Sequence, residues 1–488
     1  MNSRLFLALA AAAAAAWAFK RWRQAIPVVM VLLVFEGAIR KWVFPGAQDI
    51  VYFAKDLLLL GAYVGYFTDS TEGRLHAPKV PMLTLPLAMC ALFGLLQIFN
   101  PRSPALLVGV FGWKAYFFYV PLIFVVPAAL SSDLQISRFL RRYVLLAIPV
   151  CLLGTAQFFA PASSVLNSYA RQQVDETQIA TFGSSEHIRI TGTFAYITGF
   201  TSYLLATLIL VLALLAATRW RFRANLWIFS AFGLALIGLL MSGSRGPILF
   251  LALLLPLYWW LAIVREGGVA TSGRLVIAAA LVGCLVVYGS SGATEAWLGR
   301  AAGHSDVAGR LTQPFLSPFR ALDAAGLFGF GIGTAHQTAA AVVSGVRPYS
   351  WLNGALVEDE PGKIMVELGP LGFMLFYFVR CYLAAYAFRQ VFVLRTLFHR
   401  AIAIGCLLFF IAQLPGGVVF EVTAGLYFWF FAGLLTTVVA LDRQAIQAAL
   451  AARPRPVPLA STVRAAAART KAGTAQLPPA PTAPRSTG

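Results

Sequence analysis

Glu358, Asp359 and Glu360 form an unbroken run of carboxylates directly ahead of Pro361. Neighbouring carboxylates repel one another, which lifts the proton affinity of one toward the range where it can take a proton from a hydroxyl. A second group is cationic. Arg40 and Lys41 follow one apolar run, Lys114 opens another, and Arg245 sits in the tight turn Ser242-Gly243-Ser244-Arg245-Gly246. Guanidinium groups bind phosphate oxygens bidentately, and a Gly/Ser turn at a helix start adds backbone N–H donors. Together the two groups meet the needs of displacing a sugar from a diphosphate: a base for the acceptor hydroxyl and cations for the departing charge. The carboxylate run has two other readings. One is a solvated turn before a helix that Pro361 begins, with acids favouring its N-terminus. The other is a divalent-metal site at Glu358 and Glu360, for which the sequence offers no second acidic cluster.

Spanning helices have to position these residues. The chain has 488 residues, 59% hydrophobic and only 12% charged, against about 25% charged in a soluble domain. Its apolar content cannot be wrapped in a polar surface, so the expected fold is an all-α polytopic membrane protein. Apolar runs near the length of a spanning helix, roughly 20 residues, recur through 26–290 and 364–441 and predict about eleven or twelve transmembrane helices. Lys20, Arg21 and Arg23 directly follow the run at 5–19 and outnumber Arg4 before it, which predicts a retained anchor or interfacial helix over 1–25 rather than a cleaved signal. The 38 Lys+Arg exceed the 19 Asp+Glu, and no soluble basic domain exists to offer that excess to nucleic acid. Much of it falls in alternate short loops and in the tail at 442–488, which makes that side cytoplasmic. The tail is Ala/Pro/Arg-rich and is expected to be disordered. The other, periplasmic, face owns the long loops 161–193 and 291–363. The five cysteines lie in or beside apolar runs without CxxC or Cys/His spacing, so neither a disulfide framework nor a zinc site is indicated.

Several charges lie at the periplasmic ends of spans, against the rule that orients the chain. A charge at membrane depth costs at least about 2.5–3.5 kcal/mol and needs a partner. Glu36 stands four residues before Arg40, and Lys55 adjoins Asp56, so internal Glu36–Arg40 and Lys55–Asp56 pairs are one account. Glu421 opens the last span, and Arg380 falls nearer the cytoplasm. Arg40, Lys41, Lys114 and Arg245 together still exceed the intramembrane acids, and a lipid-linked diphosphate at headgroup depth would satisfy them. His76 and His399 fall in cytoplasmic loops and are read as bystanders. His187, His304 and His336 lie on the active face as candidate bases or acceptor contacts.

The order of motifs resembles the O-antigen ligase and polymerase superfamily of bacterial surface-polysaccharide assembly, including exopolysaccharide polymerases. The shared pieces are the hairpin L-M-S-G-S-R-G-P at 240–247, a long loop with Arg310 and Arg320 before Gly329-Phe330-Gly331-Ile332-Gly333, and an acidic stretch leading into Val366-Glu367-Leu368-Gly369-Pro370. The resemblance covers about 230–385 well and the other spans in general layout. It implies a GT-C-like, metal-independent, inverting glycosyltransferase of the inner membrane that uses no cofactor. Such an enzyme takes a glycan from an undecaprenyl-diphosphate donor and passes it to a hydroxyl of a glycan acceptor on the periplasmic face. Its partners would be the lipid bilayer and other polysaccharide-assembly proteins. Carried over, Arg245 would bind the donor diphosphate and Arg310 or Arg320 would assist, with Glu367 the Glu of the family's E-L-G motif. The family's His-Asn pair is absent from its register, which reads Glu358-Asp359 here, and that departure weakens the ligase reading more than the polymerase one. Polymerisation of lipid-linked repeat units therefore leads. Ligation to lipid A-core is the alternative within the class. A transporter or flippase of lipid-linked glycan is the alternative outside it, though no matching halves of the kind transporters carry are found.

Overall fold

The computed structural model describes residues 3–69, 83–168, 180, 188–217, 225–266, 307–343, 349–352, 354 and 357–451. The apolar run at 274–290, His76, His187, His304 and the tail beyond 451 lie outside the described residues. Within them the chain is helical and has no strand.

Helix α1 (Ser3–Lys20) is followed by α2 (Trp22–Ala38), which ends in a π-helical turn, Ile39–Val43, that carries Arg40 and Lys41. A short 3-10 turn leads into α3 (Gln48–Thr68). α1 runs alongside α3 in the same direction, because Gly61 and Gly65 expose their backbone to Ala15 and Phe19; a Cβ at either glycine would collide with those carbonyl oxygens. This is the small-residue spacing that lets membrane helices approach closely. Gly61→Leu is therefore expected to separate α1 from α3 and lower the Tm of the detergent-solubilised protein. Gly233→Leu, where a new Cβ meets nothing within 4 Å, should leave it unchanged.

Next come α4 (Thr84–Gln97), α5 (Leu106–Phe117) and α6 (Leu122–Ala129), the last two forming a pair bent by 42°. They are followed by α7 (Asp133–Leu145), α8 (Ala147–Phe159), α9 (Ile197–Ala217), α10 (Leu226–Met241) and α11 (Arg245–Glu266). The described part ends with α12 (Val307–Ala325), α13 (Gln337–Val342), α14 (Glu360–Val393), α15 (Leu397–Ala412) and α16 (Val422–Ala451). Five stretches are long and apolar enough to cross a bilayer: 45–68, 133–159, 197–217, 360–393 and 422–451. The bent pair makes a sixth, and four shorter apolar helices of 10–17 residues accompany them. The chain is thus an all-α, multi-pass membrane protein. Eleven or twelve full-length spans are not found among the described residues, since bends and breaks shorten several of the apolar runs.

α14 departs most from the spans expected over 364–441. Gly369 takes φ 64° and ψ −177° inside it, a left-handed backbone that Gly adopts without steric cost, and Pro370 follows. The side chains of Glu360 and Arg380 meet in an ion pair, although a continuous helix would hold residues twenty apart about 30 Å from each other. The break therefore folds 360–368 back along the rest of α14. Arg380, expected nearer the other membrane face, lies at the depth of Glu360. α12 packs on α14, so part of the expected loop 291–363 is helical and docked.

His399, expected as a loop bystander, is buried. It lies between Asp133 (Nε2 to Oδ1 2.8 Å) and Asp442 (Nδ1 to Oδ1 3.1 Å), tying α15 to the starts of α7 and to α16.

Candidate functional site

The end of α2 and the start of α3 bring four charged groups together. Glu36 lies 3.4 Å from Arg40, one turn along the same helix face, and its other oxygen lies 2.7 Å from Lys55 of α3. Asp56 pairs with Lys114 at 2.5 Å and accepts a hydrogen bond of 2.9 Å from the Tyr119 hydroxyl. The Glu36–Arg40 pairing matches expectation, whereas the expected Lys55–Asp56 pair is replaced by two separate ones. Adjacent residues on a helix point about 100° apart and do not face each other. Lys114 lies in the last turn of α5 rather than at its opening, because that helix begins at Leu106. Tyr52 gathers the cations: its ring centre is 5.2 Å from the Arg40 guanidinium, 4.1 Å from Lys55 Nζ and 5.3 Å from Lys114 Nζ.

Glu36, Arg40, Tyr52 and Lys55 line a cavity of about 170 Å³ whose wall also includes His336 and Glu421. Tyr52 and His336 also border a smaller cavity of about 20 Å³ that reaches Lys114. His336 caps α13: its Nδ1 accepts from the Thr338 N–H at 3.2 Å, and its ring stacks on Phe420 at 5.6 Å. With Nδ1 an acceptor, the ring proton sits on Nε2. Burial, with Lys114 and Lys363 nearby, pushes the imidazole down to about 4, so His336 is neutral at pH 7 and a hydrogen-bond donor at Nε2. Glu421 opens α16, accepting from Thr423 N–H at 3.2 Å and Ala424 N–H at 2.6 Å. Burial raises its pKa above the ordinary carboxylate range, against the opposing hydrogen bonds from Ala424, Thr423 and Ser202. Lys363 stands 5.3 Å over the Phe420 ring and makes no ion pair among the described residues.

The carboxylate run divides into three environments. Glu358 is exposed. Asp359 is the N-cap of α14, taking the Gly362 N–H at 3.0 Å and the Ser317 hydroxyl. Glu360 is buried, with Oε1 accepting from Val418 N–H at 2.8 Å and from Arg380, and Oε2 from Val419 and Phe420 N–H at 2.8 and 3.0 Å. Four donors occupy this carboxylate, so Glu360 is a brace for the loop before α16. Glu367 is a second brace: it accepts from Ala335 N–H and Tyr116 hydroxyl, both at 2.8 Å. The backbone of Gly329–Gly331 is bonded to Val366 and Glu367 carbonyls, which makes the Gly-Phe-Gly-Ile-Gly run a close-packing turn.

Lys41 turns away from the cavity, donating to Gly192 O at 2.8 Å and Thr191 Oγ1 at 3.1 Å; burial pushes its ammonium down to about 7. Arg245 is the first residue of α11, and the turn before it is held by Arg189, which donates to Ser242 O at 2.9 Å and Ser244 Oγ at 3.1 Å. Arg310 is in α12; Arg320 is exposed and is not among the described residues lining the two cavities. The residues missed from sequence are Lys363, Arg189 and Arg102. Arg102 donates to Ala325 O at 2.7 Å and Ala324 O at 3.1 Å at the end of α12. Its carbonyl partners lie 222 and 223 residues further along the chain, so no local spacing pointed to the contact.

Fold and site together define a helical, multi-pass membrane protein with a buried, charge-lined cavity at one end of its bundle. No protein-family model matches the chain, and no curated protein or solved structure matches it.

Proposed function

We propose that the chain is a GT-C-like membrane glycosyltransferase of the polysaccharide-polymerase type, acting on undecaprenyl-diphosphate-linked repeat units at the periplasmic face of a bacterial inner membrane. The observation that carries the reading is the cavity where Arg40, Lys55 and the neutral His336 surround the partly buried carboxylate Glu421. Lys114 and Lys363 stand beside it. Within and beside the cavity four cations meet three carboxylates, Glu36, Asp56 and Glu421, a balance that favours an anionic guest. The acceptor hydroxyl oxygen attacks the anomeric carbon of the donor sugar as the bond to the diphosphate oxygen breaks. Glu421 takes the hydroxyl proton. Arg40, Lys114 and the His336 Nε2–H stabilise the departing diphosphate, and Arg245 holds the donor as the resemblance implies. Catalysis then rests on groups placed where charge develops.

Losing one guanidinium contact to a phosphate oxygen costs about 1.5–3 kcal/mol, or roughly 10–100-fold. Arg40→Gln and Arg245→Ala cells, with the protein at wild-type level in the membrane, are expected to lose polymer and accumulate single lipid-linked repeats. Normal chains on lipid intermediates with none on lipid A-core would favour the ligase instead. Normal polymer together with normal intermediates in both variants would sink the reading.

A further inference from the structure

At the far end of α2 from Arg40 the bundle opens a groove of about 650 Å³ between α2, the end of α6 and α7. Arg23 and Arg40 are seventeen positions apart, roughly 25 Å along a helix, close to the thickness of a bilayer's hydrocarbon core. The two cavities are thus separated by about the thickness of a bilayer's hydrocarbon core. Three arginines line this groove, Arg23, Arg138 and Arg142, and no carboxylate among the described residues does. Arg138 and Arg142 are four residues apart on α7, a like-charge spacing that destabilises a helix on its own. Neither makes an ion pair among the described residues. Asp133, the acid nearest in sequence, is engaged by His399. On the buried face of α7, Ile136, Leu140 and Val144 stay clear of the groove, and Tyr143 borders it. Gln135 adds a donor: its Oε1 accepts from Ser131 N–H at 3.0 Å, which leaves its amide nitrogen unused among the described residues. Beyond the arginines the wall is apolar, with Pro27, Val31, Leu130, Phe139 and Leu146.

We infer that this groove binds one anionic phospholipid, its phosphodiester among the three guanidinium groups and an acyl chain along the apolar wall. Guanidinium groups match phosphate geometry, and basic pockets between helices at an interface select acidic headgroups. The ligand removes the repulsion between Arg138 and Arg142, which no acid among the described residues does.

The test uses the full chain in detergent, titrated with phosphatidylglycerol or phosphatidylcholine and followed by native mass spectrometry of lipid adducts. The variant is Arg138→Gln/Arg142→Gln, both exposed positions whose replacement leaves the packed face of α7 intact, with unchanged elution on size exclusion as the folding check. Phosphatidylglycerol should bind in preference to phosphatidylcholine, and the double variant should bind it about a hundredfold more weakly, roughly tenfold per guanidinium. Arg389→Ala, an exposed arginine outside the groove, should bind as wild type. Wild-type affinity in the double variant, or equal binding of phosphatidylcholine, would overturn the inference. Full displacement of the lipid by millimolar inorganic phosphate would do so too, by assigning the groove to a soluble phosphate. The readout is lipid binding, independent of any glycan transfer at the other end.

Discussion

Glu421→Gln is expected to reduce glycan transfer by about 10²–10⁴-fold, the usual contribution of a positioned general base, while the protein stays folded. Glu421 receives Thr423 N–H on one oxygen and Ala424 N–H on the other; glutamine keeps one of these two capping bonds while the proton acceptor is lost. The pH profile separates this role from a structural one. Burial raises the Glu421 pKa, so the carboxyl stays protonated, and inactive as a base, to a higher pH than an ordinary glutamate. Activity should therefore rise through an acid limb displaced upward from the usual carboxylate range. Glu421→Asp, which retains a carboxylate at a shorter reach, should keep such a limb with reduced rate. Transfer by membranes containing Glu421→Gln at wild-type rate, with the acid limb unchanged, would remove Glu421 from the chemistry and return the search to His336.

What could be read from the residues depended on whether partners are local in sequence. Glu36 and Arg40 share a helix face at one-turn spacing, and their pairing was legible. Lys55 and Asp56 are neighbours in sequence, yet α3 points them to different helices, so their partners, Glu36 and Lys114, come from tertiary packing. The class of fold followed from apolar run lengths alone, because in lipid every backbone group must be satisfied within a helix. The number of spans did not, since Gly369, followed by Pro370, marks a fold-back that hydropathy reads through. His336 and Glu421 belong to no spacing pattern; they meet at the cavity only because Phe420 stacks on the imidazole one residue before Glu421.

Arg380→Met is expected to cost about 3–5 kcal/mol of folding stability, the penalty for leaving one member of a buried ion pair without its counter-charge. Glu360 and Arg380 are both buried, and methionine can fill the space but cannot neutralise the carboxylate. Glu360 would still hold the N–H groups of Val418, Val419 and Phe420, now as an uncompensated anion. The double variant Glu360→Gln/Arg380→Met should recover part of the loss, because the neutral amide oxygen accepts some of those donors at lower desolvation cost. Thermal unfolding in detergent of the two single variants and the double provides the cycle, and additive losses would mean the pair is not coupled. The same cycle bears on function. The loop braced by Glu360 leads through Phe420, which stacks on His336, into Glu421, so loosening it displaces both cavity groups. Glu360 then acts as a positioning residue. Activity should fall with stability in Arg380→Met and return with it in the double variant, whereas Glu421→Gln loses activity without the stability loss.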